Sequence, residues 1–404
     1  MTSPQTAARQ PFYGMLLVLV LALGIVLRVY PSSSFKGVGF DEKFYEHYVT
    51  RLNKVGLMQY PAIVTEYIEN QSQLTYSVLP PMRFLYIFTS HLWSVTMRTD
   101  PMTSLHRVAC AFTILMLLVS YVFALRLGGK WIALGVLALM CCAPTQIHMS
   151  QHALVDGFFA FWALLCLWLL WENLQHPDRP AWLVAYGLGL ACMVMTKENA
   201  FFAYVAMSAI VIANRWLAFG KVTPRLLVAM FIGPLLGVLA LLALAGGPHQ
   251  LIETYHQSVS KNYTLEYAIK TGDGPWHRYL GDLLLMSPVV FLLAVGELFH
   301  LRRDNRIGWY FTLFISVSYL IMCNIKYGMN MRYTNMWDMP MRYMAFCRLA
   351  ALSSYFERRK NAVLVILVAV VCLVDLRQYW VFFVQHNLYE LVSAYLLNAV
   401  DILK

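Results

Sequence analysis

The chain has 404 residues, of which 59% are hydrophobic and 13% are charged, with a mean hydropathy of +0.57. A soluble globular domain carries about 25% charged residues, so the composition excludes a soluble enzyme and fits a polytopic helical protein with the bilayer as its solvent. The formal charge of +10 is spread over short loops such as HLRRDNR and FERRK rather than gathered in one patch, which excludes a nucleic-acid partner.

The first apolar run covers about 13–30. With Arg9 before it, this run is similar to a signal peptide, but the small-x-small pattern around Ser32–Ser34 is poor. It is read as a retained helix with its N-terminus in the cytoplasm. A few residues later, GVGFDEKFYEHY sets Asp41 and Glu42 side by side just outside this span. Two acids so near hydrocarbon are costly. They are either a solvated juxtamembrane pair or carboxylates of a site where a lipid-linked substrate meets a polar acceptor.

Residues 81–97 are short for a span, follow Pro80, and carry Arg83 and His91. They are expected to lie along the outer leaflet as an interfacial helix. Further spans are expected at about 104–126, 131–147, 154–172, 181–196, 199–217, 226–246, 281–300, 307–325, 337–355 and 361–381, about eleven in all. Basic residues mark the loops between them: Arg126 with Lys130, Arg179, Arg215 to Arg225, Arg302 to Arg306, and Arg358 to Lys360. All fall on the cytoplasmic side if the first helix runs outward. That leaves outside two large loops, 31–103 and 247–280, and shorter ones near 148–153, 197–198 and 326–336. The expectation is one transmembrane domain, 1–404, with a tail at 382–404 and no soluble domain. The eight cysteines lie in or beside apolar segments, without a disulfide framework or metal knuckle, and are read as small buried hydrophobes.

On this topology the unusual polar groups share the extracytoplasmic side. Asp41 and Glu42 follow the first helix, Asp156 opens a helix in HMSQHALVDGFFAFW, Lys197 and Glu198 end one in MVMTKENAFF, and Arg332 lies in YGMNMRYTNMWDMP. Each alone has a plain explanation, an acid at a helix N-terminus or a snorkelling lysine. Together they suggest acids and bases around one cavity. His148, His152 and Asp156 recur every four residues and would share a helical face. Two His and an Asp suit a divalent metal, unless the Pro144–Gln151 stretch is a loop end with solvated histidines. Trp131, Trp171 and Trp309 read as interfacial anchors, whereas Trp276 and Tyr263 in the second long loop could stack on a sugar.

In this order and spacing, these strings resemble the GT-C membrane glycosyltransferases, in the branch of protein O-mannosyltransferases and lipid A aminoarabinose transferases. The resemblance rests on the FDE after the first helix and on the double proline before an aromatic-rich amphipathic helix. Arg107 at the head of the next span, Ala153–Trp162 with Asp156-Gly157, and the glycine-rich GLGLACMVMTKENAFF add to it, and Arg332-Tyr333 before Pro340 is a looser match. It implies an all-α membrane protein of GT-C fold with juxtamembrane helices in its first outer loop. It also implies transfer of a sugar from a polyprenyl-phosphate-linked donor to a glycan, glycolipid or protein acceptor, outside the bacterial inner membrane.

By the same resemblance Asp41 is the catalytic carboxylate, removing the acceptor's proton or, if the acceptor is already an anion, orienting it. One-step displacement inverts the anomeric centre. Glu42 and Asp156 would orient the acceptor, tune the base or hold a cation. Lys197, Arg332 and Arg83 would hold the donor phosphate, and Glu198, Tyr333, His152 and Trp276 would support the acceptor side. Leu79 and Pro80 depart from relatives that carry a basic residue there. No cofactor beyond the lipid-linked donor is required, a divalent cation is optional, and a monomer among membrane lipids is expected. Nucleotide sugars are disfavoured, since no glycine-rich nucleotide fingerprint is present. A transporter or flippase of lipid-linked sugars is the alternative. It would carry ionisable residues deep in its spans, whereas here they sit mostly at helix ends.

Overall fold

The computed structural model describes residues 4–30 and 37–401, and every regular element among them is helical. The Ser32–Ser34 stretch lies outside the described residues. Helix α1 (Pro4–Val29) is followed by three helices within the segment expected to be the first outer loop: α2 (Phe40–Val55), α3 (Tyr60–Gln73) and α4 (Phe84–Met97). Then come α5 (Pro101–Gly128), α6 (Lys130–Cys141), α7 (Pro144–Ser150), α8 (Val155–Gln175), α9 (Pro180–Val194), α10 (Ala200–Leu217) and α11 (Pro224–Ala245). The segment expected to be the second outer loop forms α12 (Pro248–Ser260) and α13 (Glu266–Thr271), and α14 (Arg278–Met286), α15 (Pro288–Leu298) and α16 (Arg306–Met322) follow. A 3-10 turn (Met331–Trp337) leads into α17 (Asp338–Ser354), α18 (Lys360–Tyr379) and α19 (Ser393–Ala399).

Helices occupy all of the expected spans. Among the described residues six are long and apolar enough to cross a membrane, or seven if the pair α6–α7, bent by 62°, is one span. Helices α9, α15 and α16 are apolar but shorter. The expected span 281–300 is divided at Ser287 into α14 and α15, and 337–355 becomes α17, which buries Asp338 and Arg342. Helix α4 has 14 residues, roughly 21 Å at 1.5 Å per residue, short of a hydrocarbon core about 30 Å thick. It packs on α2 and α5.

Helix α8 is apolar all round and 83% of its best window is buried, so it is the central helix, whereas α1 is only 11% buried. Helices α11 and α18 turn Phe231, Leu236, Leu239, Val365, Ile366 and Leu373 outward, the faces that lipid would cover. The glycine-rich α9 meets α11 through small residues. A Cβ on Gly233 would collide with the Gly187 carbonyl, and one on Gly237 with the Ala191 carbonyl. Gly233→Leu should therefore force the two helices apart at a cost of about 1–3 kcal/mol or more, read as a lower unfolding midpoint in detergent. An unchanged midpoint would contradict that close approach.

Pro144 cannot donate into the preceding turn, so the α6–α7 break frees carbonyls inside the bundle. Arg28 of α1 supplies the missing donor to Cys141 O at 3.3 Å and a second donor, beside the Ala143 N–H, to Met140 O at 3.1 Å, and is only 2% exposed. A second buried cation, Arg342, pairs with Asp338 at 2.5 Å and Asp375 at 2.7 Å, and also donates to Leu139 O. Gln146 of α7 donates to Asp338 at 2.7 Å. This cluster ties α6, α7, α17 and α18 together beneath the Arg332 turn. Its charged members lie within about a turn of the ends of α17 and α18.

Candidate active site

Gly39 precedes α2 in extended backbone, and its N–H donates to Glu42 at 2.6 Å. The other Glu42 oxygen accepts the Ala153 N–H at 2.7 Å and lies 3.3 Å from His152 Nδ1. Burial works against this charge, yet His152 and the two N–H groups hold the Glu42 pKa below its ordinary value. Consecutive helical residues point about 100° apart. With Glu42 locked inward at 1% exposure, Asp41 is turned toward the cavity. Glu42, expected to orient the acceptor, tune the base or hold a cation, fastens α2 to the turn before α8 with His152 as its partner, and of the two acids Asp41 lines the cavity.

Asp156, in the first turn of α8, pairs with Lys197 from the TKEN turn. Lys197 also sits 4.1 Å from the centre of the Tyr333 ring. Burial pushes the Lys197 pKa down to about 8; Asp156 opposes this, while Arg83 and Arg332 reinforce it. Arg83 reaches Glu198 at 3.2 Å and donates to the Tyr45 hydroxyl at 2.7 Å. The start of α4 is bound to the TKEN turn by a backbone bond from Leu85 N–H to Met195 O at 2.9 Å.

Arg332 joins these groups. Its main-chain N–H is accepted by the Asn330 side chain at 2.9 Å, which sets the 3-10 turn. One arm of its guanidinium lies 3.0 Å from Asp41 and 3.9 Å from Asp156, and the other 3.3 Å from Glu390. Burial disfavours the charge, but Glu390, Asp41 and Asp156 outweigh it and raise the Arg332 pKa. Asp41, Arg83, Lys197, Arg332 and Tyr333 line one cavity of about 190 Å³, closed on other sides by Ser77, Ser258, Asn262, Tyr267 and Tyr327. A separate cavity of about 230 Å³, between Leu283, Phe291, Ala294 and Met341, has no charged lining.

Several sequence expectations are redrawn. Helix α7 ends at Ser150 and α8 begins at Val155, so His148, His152 and Asp156 do not share a helical face. His148 stacks on Phe383 with centroids 4.0 Å apart and donates through Nε2 to Tyr389 O, whereas Asp156 turns to Lys197. Among the described residues no three His, Cys, Asp or Glu side chains converge to hold a metal ion. Trp276 is 63% exposed and outside the cavity lining, and Arg107 is exposed. Tyr263 contributes indirectly, through an edge contact with the lining residue Tyr327. Sequence reasoning missed Glu390, Asn330 and Tyr45. Only the acidic character of Glu390, within a long aromatic tail, could have marked it.

Residues 15–245, more than half of the chain, match the family described as dolichyl-phosphate-mannose-protein mannosyltransferase. No curated protein matches the sequence significantly. The structure is similar to the Archaeoglobus fulgidus oligosaccharyltransferase tethered with an acceptor peptide, with a TM-score of 0.61 and 12% identity, covering 92% of this chain and 54% of that chain. It is also similar to ArnT from Cupriavidus metallidurans bound to undecaprenyl phosphate, with a TM-score of 0.54 and 16% identity, covering 97% and 69% of the two chains. At such identities the likeness is one of fold, and the chain spans about half the length of the archaeal enzyme. The matched segment contains Asp41, Arg83, Asp156 and Lys197 but stops short of Arg332 and Glu390. With most of the cavity's charged lining inside that segment, the protein is a multi-pass membrane protein of GT-C fold that belongs to the dolichyl-phosphate-mannose-protein mannosyltransferase family.

Proposed function

We propose that this chain is a glycosyltransferase that moves a sugar from a polyprenyl-phosphate carrier to a hydroxyl-bearing or anionic acceptor on the extracytoplasmic face. The observation that carries this reading is the meeting of Asp41, Asp156, Lys197 and Arg332, from four separate segments, through Arg332 at a single cavity. The crystallised ArnT holds undecaprenyl phosphate, and another form of the archaeal oligosaccharyltransferase holds an inhibitory peptide and a dolichol-phosphate. Both support a lipid-phosphate donor. The basic loops support a cytoplasmic N-terminus, and a monomer in a bacterial inner membrane with a glycan, glycolipid or protein acceptor fits the same reading.

The chemistry follows from the charges. A phosphate departs without needing a proton, provided that cations meet the charge growing on its oxygen. Lys197, Arg332 and Arg83 are placed to do this. The acceptor oxygen forms its bond to the anomeric carbon on the face opposite the breaking C–O bond, which inverts the centre. Its proton passes to Asp41. As donor phosphate engages Arg332, the Asp41 carboxylate is released toward the acceptor. Asp156 keeps Lys197 in place. The direct test is purified full-length protein given a radiolabelled polyprenyl-phosphate sugar and a membrane extract as acceptor source; absence of transfer from every such donor would sink the reading.

A pH dependence follows from Lys197. Its ammonium must be charged to hold phosphate, and its pKa is pushed down to about 8. The kcat/KM for donor should hold steady below that value and fall as pH rises through it. Lys197→Arg, which stays protonated, should move the falling limb upward. A wild-type profile that stays level well above pH 8 would remove Lys197 from donor binding.

A further inference from the structure

We infer that Asn330 and Arg332 form a built anion site for the donor phosphate, and that Glu390 occupies it as an internal stand-in when no donor is bound. This rests on the donor reading above. One oxygen of Glu390, Oε2, accepts from Asn330 Nδ2 at 3.2 Å and lies 3.3 Å from Arg332 Nη2. Two donors converging on a single anionic oxygen is the arrangement that a phosphate oxygen takes. Both donor residues line the cavity, as does Val392, two residues beyond Glu390.

The surroundings specify what moves. On either side of Glu390 the backbone is held: Tyr389 O accepts from His148 Nε2 at 3.0 Å, and Leu391 O accepts the Met331 N–H at 3.3 Å. Leu391 is fully buried. The segment therefore stays in place, and only the Glu390 side chain, 18% exposed, has to swing toward water. The charge count gives the reason for exchange. Arg83, Lys197 and Arg332 face Asp41, Asp156, Glu198 and Glu390, so the cavity already holds one carboxylate more than it has cations. An incoming phosphodiester adds another negative charge, and departure of Glu390 from Arg332 restores the count. After transfer, return of Glu390 to Arg332 competes with the polyprenyl phosphate left behind and promotes its release.

Removing the competitor should tighten binding, the opposite of what loss of a purely structural clamp would do. Full-length Glu390→Gln should bind undecaprenyl phosphate in detergent micelles roughly tenfold more tightly than the wild type, the scale set by one charge-assisted hydrogen bond. Its KM for donor should fall together with kcat as product release slows. Inorganic phosphate in excess should compete, which separates headgroup recognition from binding of the lipid tail. Equal or weaker binding by Glu390→Gln, with wild-type binding intact, overturns the stand-in role. Binding by neither protein overturns the donor reading and this inference with it. Should Gln at 390 prevent folding, Glu390→Asp, too short to reach both donors, carries the same test with a smaller expected gain.

Discussion

Asp41→Asn should lower kcat for sugar transfer by about 10²–10⁴-fold, the range for loss of a positioned general base, while donor binding stays within a few-fold. The amide has the shape of the carboxylate, and α2 is anchored through Glu42 rather than through Asp41. The backbone at position 41 therefore stays in place. What disappears is the capacity to take a proton from the acceptor, and one of the anions on Arg332. Donor binding should be preserved or slightly improved, since a competitor for the guanidinium has gone. Single-turnover transfer with saturating donor separates these effects, and a wild-type rate in the variant would end the assignment of Asp41 as base.

Arg332→Ala should be damaging in two separable ways. Loss of the preorganised cation should cost about 10²–10³-fold in transfer. In addition, Asp41 and Glu390 would be left in a largely buried site without the ion that pairs them, and Asp156 would keep only Lys197. Breaking a buried pair by removing one partner costs roughly 3–5 kcal/mol, which thermal unfolding in detergent would register. Arg332→Lys should rescue little, because the two arms of the guanidinium serve carboxylates from different segments and a single ammonium cannot span them. Adding Glu390→Gln to Arg332→Ala should recover part of the lost stability by deleting one stranded charge. If the single variant melts like the wild type, Arg332 is not the hub of this network.

Much of the site was legible because ionised side chains stand out at the ends of apolar runs. Asp41, Arg83, Asp156, Lys197 and Arg332 were each visible as charges that lipid would not tolerate, and the basic loops put them on one side. What separates Asp41 from Glu42 is helical phase, which depends on where α2 begins and on a backbone N–H more than a hundred residues away. Adjacent identical charge types cannot reveal that. The four-residue spacing of His148, His152 and Asp156 misled because it presumes an unbroken helix, and the turn over 151–154 resets the register. Glu390 and Asn330 carry no motif, and only tertiary folding brings the tail to the Arg332 turn. The hydrophobic windows located the helices but not their breaks, although Pro144 and Pro288 mark both points where expected spans divide.

The arginine at the end of α1 has a consequence for anyone shortening this protein. A version starting beyond Tyr30 would retain every side chain that lines the Arg332 cavity. It would nevertheless strip the donor from the Cys141 carbonyl at the α6–α7 elbow and leave Met140 O to the backbone N–H of Ala143, where the neighbours are greasy and water is scarce. Such a truncation should insert poorly or aggregate, and supplying α1 as a separate peptide should partly restore it.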